Sequence, residues 1–255
     1  MLRLLSQSLA TLAAYLPVLA VITVLIYLPI NFMLTAMFWD SADEAGGWAY
    51  YQANGFAETL FGVVASGFAT IVAWRSRMGE PVRFTEALGG ALRHWPSLVG
   101  GSILYNLGVM AGFVALVIPG VFLALGWSVL YPVIIIENSG PTAAFSRSAQ
   151  LMSGRRWPML GCNALIFVGM IATSTVLYTL IEFLPYDYWF AYNVAADTII
   201  SGVALLWPVL MTVAYLEARA EELGEELPDP APADESDGQR TIAEDESNPY
   251  RSPQY

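Results

Sequence analysis

Charged residues are scarce in this chain of 255 residues, where they make up only 13% of the sequence. A soluble domain of average composition carries about a quarter charged residues. Hydrophobic residues account for 56% of the chain, and the mean hydropathy is +0.53. The shortage of charge therefore excludes an ordinary soluble domain and indicates a chain that is embedded in a membrane.

Cysteine and histidine occur once each, as Cys162 and His94. A single cysteine cannot form a disulfide within the chain, and the two residues together cannot build a Cys/His metal cluster. The sequence also lacks a Gly-x-Ser-x-Gly turn, a phosphate-binding P-loop and a nucleophile with its base. We therefore predict no catalytic residues, no metal and no cofactor, and we expect that the protein is not an enzyme.

Long apolar runs dominate the sequence, and several reach the roughly 20 residues that a helix needs to cross a bilayer. Glycine, proline and charged residues divide these runs into six predicted spans: Leu12–Met37, Phe56–Trp74, Ser97–Ile118, Val121–Ile136, Trp157–Phe183 and Trp189–Leu216. Two shorter segments, Phe84–His94 and Ala143–Ser153, are predicted to be interfacial amphipathic helices. The predicted fold is all-α, a polytopic membrane helix bundle of six transmembrane helices arranged as three hairpins.

The arginines divide the predicted connections into two classes. Arg3 precedes the first span, and the connections after spans two and four hold the other arginines before the last span: Arg75, Arg77, Arg83, Arg93, Arg147, Arg155 and Arg156. The opposite connections, Asp40–Gly55, Pro119-Gly120 and Pro185–Tyr188, contain no arginine. Because arginine-rich connections stay in the cytoplasm, we predict a multi-pass cell-membrane protein with both termini cytoplasmic. The expected membrane is a bacterial inner membrane.

The net charge of −11 is concentrated at the C-terminal end of the chain. From Glu217 onward, twelve acidic residues and three arginines give −9, whereas the preceding residues carry −2. The last stretch is rich in Pro, Asp, Glu and Ser and has no apolar periodicity, which is typical of disorder. We therefore predict a membrane domain over residues 1–217 and an acidic, disordered cytoplasmic tail over residues 218–255.

A cluster of basic and aromatic residues follows the second amphipathic helix, which is expected to stop at Gly154. We predict that Arg147, Arg155 and Arg156 form one surface for anionic lipid, with Trp157 in the headgroup layer. The alternative is that these arginines only set the topology. Nucleic acid is not an expected partner, because the basic residues are spread along the membrane surface, where anionic lipid is nearer.

Few polar side chains lie within or beside the predicted spans. Glu137 stands ten residues before Arg147, and we predict an ion pair that fixes the amphipathic helix. Asn106 and Asn163 occupy corresponding depths of spans three and five, where they can form intramembrane polar contacts or line a solute path. Three further carboxylates are assigned to the outer ends of spans and interpreted as interfacial residues: Glu58, Glu182 and Asp197.

An aromatic residue followed closely by proline stands at or near the start of spans one, three and five. The three versions are Tyr15-Leu16-Pro17, Trp95-Pro96 and Trp157-Pro158. Proline is tolerated in the first turn of a helix, where backbone N–H groups lack partners in any case. The pattern is that of a threefold structural repeat, and the alternative is a common pairing of residues at membrane interfaces.

A series of motifs between Ile118 and Trp157 runs in a fixed order: Pro119-Gly120, Trp127-Ser128, Pro132, Glu137, Gly140-Pro141, Ser146-Arg147-Ser148 and Gly154-Arg155-Arg156-Trp157. This series resembles the membrane domain fused to some bacterial glycerophosphoryl diester phosphodiesterases, and its free-standing relatives. The resemblance covers about forty residues and extends loosely to Leu216. It implies a membrane domain and no catalytic residues. The fused enzymes carry a separate soluble catalytic domain, for which we expect no room in this chain.

These features favour a non-catalytic membrane module that acts in lipid or envelope organisation or as a platform for a protein partner. The lipid bilayer, and anionic lipids in particular, are the predicted partners. The alternative is a transporter of a small solute or a lipid, in which Asn106 and Asn163 line a polar path at the interface of the repeats. An intramembrane enzyme is the least favoured class.

Overall fold

The computed structural model describes residues 8–11, 13–39 and 44–224, with only the backbone at 44–46. Every regular element within these ranges is a helix, as expected for a chain whose backbone groups must be satisfied inside a bilayer. The predicted all-α bundle is therefore confirmed. Arg3 and the predicted tail from Glu225 onward lie outside the described residues.

Between Leu16 and Leu223, eleven α-helices follow one another along the chain. They are α1 (Leu16–Phe38), α2 (Glu44–Ala57), α3 (Val63–Arg77), α4 (Phe84–Arg93), α5 (Trp95–Ala115), α6 (Val117–Gly126), α7 (Leu130–Ile136), α8 (Pro141–Leu151), α9 (Arg156–Leu180), α10 (Trp189–Ala204) and α11 (Leu206–Leu223). Consecutive helices combine into six segments long and apolar enough to cross a membrane, which supports the six predicted spans and a multi-pass membrane protein. Their bounds are Leu16–Phe38, Gly47–Arg77, Trp95–Ala115, Val117–Ile136, Arg156–Phe183 and Tyr186–Leu223.

The centre of the bundle is built around α3, which packs against α4, α5, α7 and α11. Phe68 of α3, Ile134 of α7 and Val209 of α11 are fully buried there. The span Arg156–Phe183 is instead mostly exposed, since only 6% of its most apolar 18-residue stretch is buried within the protein. Its apolar side chains therefore face outward, as lipid-facing side chains do in a membrane bundle.

The second span is longer than the predicted Phe56–Trp74. Helix α2 continues through a π-helical turn, Glu58–Gly62, directly into α3. Most of the predicted connection Asp40–Gly55 is thus helical, and only residues 40–43 of it lie outside the described chain. Glycines and polar residues hide this helix in the sequence, but no proline interrupts it. Glu58 is consequently the twelfth residue of the span Gly47–Arg77, so that its predicted place at the outer end is wrong.

The predicted turn at Pro119-Gly120 is also wrong, because both residues lie within α6. The chain instead turns at Leu116, whose backbone is extended. Pro119 is tolerated in the first turn of α6, where N–H groups have no helical partner. Gly120 permits close contact between helices, since a Cβ on Gly112 of α5 would lie 2.9 Å from the Gly120 Cα.

Both amphipathic segments are helices, α4 and α8. Helix α4 runs antiparallel to α3, with Glu86 beside Arg75 and a Cβ on Gly90 within 2.8 Å of the Ile71 side chain. Its buried face consists of small residues, Ala87, Gly90 and Ala91, which allow this close packing. The helix therefore packs along the C-terminal half of the second span.

Helix α11 continues to Leu223, six residues past the predicted domain boundary at residue 217. It ends at Gly224, whose left-handed backbone (φ 70°) is the conformation that terminates many helices. The first residues assigned to the tail are thus part of the bundle. This extension carries Arg219, Glu221 and Glu222 alongside α8 and the turn that follows it.

Candidate functional site

Glu137 is the centre of a polar network at the arginine-bearing end, the end of the bundle that holds Arg75, Arg147, Arg155 and Arg219. It follows the last residue of α7 and accepts the Nε–H of Arg147 at 3.1 Å on Oε1. The Tyr215 hydroxyl donates to the same carboxylate oxygen at 3.0 Å, and Arg219 donates to the Tyr215 oxygen at 2.7 Å. Glu137 and Arg147, predicted as a pair from their spacing, are therefore in contact.

Arg147 connects this network to the end of α11. Its two terminal nitrogens donate to the two carboxylate oxygens of Glu222 at 2.9 and 2.6 Å, which is the fork geometry that arginine forms with carboxylates. Glu222, together with Glu137, raises the pKa of the Arg147 guanidinium above its ordinary value. Arg155 likewise pairs with Glu221. Two of the three arginines predicted to bind lipid thus have carboxylate partners within the chain.

Arg156 has different surroundings. Its guanidinium lies 3.5 Å above the centre of the Phe122 ring, and no carboxylate of the described residues pairs with it. Its Nε atom is buried without a hydrogen-bond partner. The neighbouring Trp157 is 82% exposed at the start of α9, and half of Phe122 is exposed as well. The four residues predicted to form one surface therefore differ: Arg147 and Arg155 are paired with carboxylates, whereas Arg156 lies over an aromatic ring and is followed by the exposed Trp157.

Asn106 and Asn163 are not joined by any hydrogen bond in the described structure. The Asn106 amide donates to Ser102 on its own helix at 3.5 Å. The carbonyl oxygen of the Asn163 side chain is buried without a partner. Their equal depth in the predicted spans therefore does not bring them together as one polar contact.

Asp197 lies at the opposite end, which we call the arginine-free end because residues 35–51 and 178–197 contain no arginine, lysine or histidine. Tyr50 of α2 donates to its Oδ2 at 2.7 Å, and Tyr178 of α9 donates to its Oδ1. Asp197, predicted to be only an interfacial residue, thus takes part in a contact that its sequence position does not predict. Tyr50 lies 147 residues before Asp197, and no local pattern in the sequence relates the two.

Glu58 occupies the π-helical turn within the second span, where its carboxylate lies 3.4 Å from the Tyr27 hydroxyl. Tyr27 is the middle residue of α1 and is buried, so that this carboxylate lies close to the middle of the span. Trp95 donates its indole N–H to the carbonyl oxygen of Leu60 in the same turn at 2.5 Å. π-helical turns occur frequently at functional sites. The signal that the sequence offered was an ionisable residue inside an apolar run.

The described residues contain no group of three or more His, Cys, Asp and Glu side chains that could hold a metal ion. The single cysteine, Cys162, is buried. Comparison of the chain with family models, with curated proteins and with solved structures found no match. The chemistry of the protein therefore has to be argued from its own side chains.

Proposed function

We propose that the protein is a non-catalytic membrane module that organises anionic lipid at its arginine-bearing end. The observation that carries this proposal is Arg156, a cation with an aromatic partner but no carboxylate partner among the described residues. A guanidinium provides five N–H donors, and a phosphate is one of its preferred acceptors. The resemblance of residues 118–157 to a membrane domain of phosphodiesterases that act on lipid-derived esters agrees with this role.

The neighbours of Arg156 support a headgroup rather than a soluble anion as the partner. Phe122 lies against the guanidinium and is half exposed, and Trp157, the next residue along the chain, is exposed; tryptophan is enriched at the level of the headgroups. Arg147 and Arg155 are already held by Glu222 and Glu221. They stabilise the bundle, and Arg156 is the arginine of the three that binds lipid phosphate.

The positive-inside rule places the arginine-bearing end in the cytoplasm. Two exposed positions test this orientation: Ser153, between spans four and five, and Asp187, between spans five and six. With Cys162 replaced by alanine, a cysteine at position 187 should react in intact cells with a membrane-impermeant maleimide. A cysteine at position 153 should react only after permeabilisation. The reverse result would invert the topology.

Arg156→Gln tests the lipid assignment. We expect the purified variant to bind phosphatidylglycerol about fivefold more weakly than the native protein, because one basic residue near the headgroups contributes about 1 kcal/mol. Native mass spectrometry of both proteins during titration with phosphatidylglycerol, and with phosphatidylcholine for comparison, measures the difference. The difference should shrink as the salt concentration rises.

Arg147→Gln is the matched control, since it removes an arginine of the same end that is held by two carboxylates. It should lower the thermal stability and leave the binding of phosphatidylglycerol within twofold of the native value. Equal phosphatidylglycerol binding by Arg156→Gln and the native protein would refute the lipid role of Arg156.

A transporter is the second candidate, and the position of Glu58 is the observation that favours it. A carboxylate near the middle of a span is costly and commonly belongs to an ion or proton path. A cavity of about 250 Å³ between α3, α5, α7 and α11 is lined in part by hydroxyl groups, among them those of Ser66, Ser128 and Tyr131. Such a cavity can hold a small solute or water within the bundle.

Proton flux into proteoliposomes tests this second candidate. Vesicles that contain the protein and the trapped dye pyranine are exposed to an imposed pH gradient, with valinomycin present to dissipate the membrane potential. Transport predicts flux above that of empty vesicles, loss of that flux in Glu58→Gln and retention in Glu182→Gln, whose carboxylate is exposed. Flux that is absent, or equal in all three proteins, counts against a proton path through Glu58.

A further inference from the structure

The arginine-free end contains a cavity of about 430 Å³ that has Asp197 in its wall. Side chains from four helices form it, and five of its nine lining residues are aromatic: Phe38, Trp39, Tyr50, Tyr51 and Tyr178. Volumes of this size are typical of sites for small organic ligands. The cavity lies far along the chain from the arginines discussed above and is a separate feature of the molecule.

The Asp197 carboxylate is held in a fixed orientation. Tyr50 and Tyr178 each donate a hydrogen bond to a different carboxylate oxygen, and they come from helices α2 and α9 on either side of α10. A carboxylate offers about four lone-pair positions, so that two hydrogen bonds leave acceptor capacity for a further donor. The phenols therefore position the carboxylate without neutralising its charge.

No cation of the described chain balances that charge. The ion pairs of the described residues all lie at the arginine-bearing end, and none includes Asp197. The segments that build the cavity contain no basic residue, and Glu182 and Asp187 add two exposed carboxylates to the same end. A ligand with a positive charge fits this site electrostatically, whereas an anion does not.

Thr35 lies in the wall of the cavity and has a hydroxyl without a hydrogen-bond partner. Its side chain is only 7% exposed. A buried hydroxyl without a partner costs about 1 to 3 kcal/mol. Such a group in a folded protein calls for an explanation, and a bound water or ion is one of those that are known. A ligand in this cavity has the carboxylate to bind, whereas the Thr35 oxygen itself is covered by the protein.

The walls distinguish an organic cation from a metal ion. Sites for divalent and transition-metal ions usually combine several carboxylate, thiolate or imidazole ligands, and no such group of three exists among the described residues. Aromatic faces instead attract ammonium groups through cation–π interactions, most strongly when the ammonium is alkylated and weakly hydrated. We propose that this cavity binds an organic ammonium group, with Asp197 as its counter-ion and the aromatic side chains as its cage. The amine of a phospholipid headgroup and a free small amine share this chemistry.

Binding of radiolabelled choline to the purified protein in detergent, followed by scintillation proximity, tests the proposal. We expect saturable binding that tetramethylammonium and ethanolamine displace and that sodium at the same concentration does not. Asp197→Asn should weaken choline binding at least tenfold. Asp187→Asn, which removes an exposed carboxylate of the same end, is the matched control and should bind choline as the native protein does.

A second variant keeps the test independent of folding defects. Tyr51 is 72% exposed, so that Tyr51→Leu removes one wall of the cage with little effect on the bundle. We expect a severalfold loss of choline binding from this change. Absence of saturable binding, displacement by sodium as strong as by tetramethylammonium, or unchanged binding in both Asp197→Asn and Tyr51→Leu would overturn the proposal.

Nanodiscs distinguish the two sources of the ammonium group. If the site takes a lipid headgroup, protein in nanodiscs of phosphatidylethanolamine should bind about tenfold less choline than protein in nanodiscs of phosphatidylglycerol. If it takes a free amine, the two preparations should bind choline equally. Both results support an ammonium site, and they differ only in the molecule that delivers the ammonium.

Discussion

The two ends of the bundle hold their carboxylates in opposite ways. At the arginine-bearing end, Glu137 and Glu222 both lie within 4 Å of Arg147, and Glu221 pairs with Arg155. At the arginine-free end, Asp197 binds two phenols and no cation among the described residues. A carboxylate thus holds helices together through ion pairs at one end, and carries a negative charge without a cationic partner among the described residues at the other.

This difference separates stability from binding. In the ion pairs that join the end of α7, α8 and α11, each charge is balanced by its partner. These paired groups therefore attract a charged ligand only weakly. Hydrogen bonds from Tyr50 and Tyr178 orient Asp197 but leave its charge available. We therefore expect substitutions in these ion pairs to change mainly the free energy of unfolding, and substitutions around Asp197 to change mainly ligand binding.

Glu137→Ala should have the largest effect. It leaves the Tyr215 hydroxyl without its acceptor and removes one of the two carboxylates that hold Arg147. We expect a loss of about 2 kcal/mol in the free energy of unfolding, less than for a fully buried pair because water reaches part of the network. Unfolding of the purified protein in mixed micelles with increasing sodium dodecyl sulfate measures the loss.

Choline binding should be unchanged in Glu137→Ala, and this is the control for the comparison between the two ends. Glu137→Gln retains an acceptor for Tyr215 and should lose about half as much stability. If Glu137→Ala instead weakened choline binding and left unfolding unaffected, the assignment of roles to the two ends would be reversed.

Asn193→Arg should abolish the difference between the ends by giving Asp197 a cation of its own. Asn193 lines the same cavity and stands four residues before Asp197 on α10, a spacing at which helical side chains meet. We expect choline binding to fall about tenfold, because an internal guanidinium competes for the carboxylate. Asn193→Gln lengthens the side chain without adding a charge and should bind choline within threefold of the native protein. Equal choline binding by Asn193→Arg and Asn193→Gln would contradict this explanation.

Mild acid should have the smallest effect, at the arginine-bearing end. Arg75 and then Arg83 hold the pKa of the Glu86 carboxyl below its ordinary value. The unfolded chain, with a glutamate pKa of about 4.3, therefore takes up this proton more readily than the folded chain. The stabilising contribution is present at neutral pH and is lost as the pH falls through the lowered pKa of the folded state.

A series of thermal unfolding measurements from pH 7 to pH 3 detects this contribution. The native protein should lose slightly more stability over the acid part of the series than Glu86→Gln, which has no carboxyl at this position. Added salt should reduce the difference, because Glu86 is exposed and its interactions are screened. Parallel curves for the two proteins would show that the Arg75–Glu86 pair contributes nothing to stability.

The arginine-bearing end can be read in part from the sequence, because its signals are local. Glu137 and Arg147 are only ten residues apart across a Gly-Pro break, and the arginines occur on alternate connections. Glu222 cannot be found in this way, since it lies 75 residues after Arg147 in a stretch with the composition of a disordered tail. The helix that reaches Leu223 is held by ion pairs with distant residues, and such contacts cannot be predicted from amino-acid composition.

The arginine-free end is almost invisible in the sequence. Asp197 looks like one of several carboxylates near the end of a span, and its partners come from distant helices. Tyr50 lies in a segment whose three glycines and polar residues favour a loop, yet the segment is the first part of a continuous helix. Packing of that helix against α1 overrides the weak local propensity. A site assembled by three separate helices therefore requires the three-dimensional arrangement.

The π-helical turn at Glu58–Gly62 determines how the side chains before it are rotated about the helix axis relative to the side chains after it. Such a turn accommodates one residue more than an α-helical turn, and each residue of an α-helix advances the side chains by about 100°. Deletion of one residue there would rotate Tyr50 by about 100° about the helix axis relative to Arg75. Tyr50 would then leave Asp197 while Arg75 kept Glu86. One inserted residue thus sets the relative direction in which the two ends of this helix present their side chains.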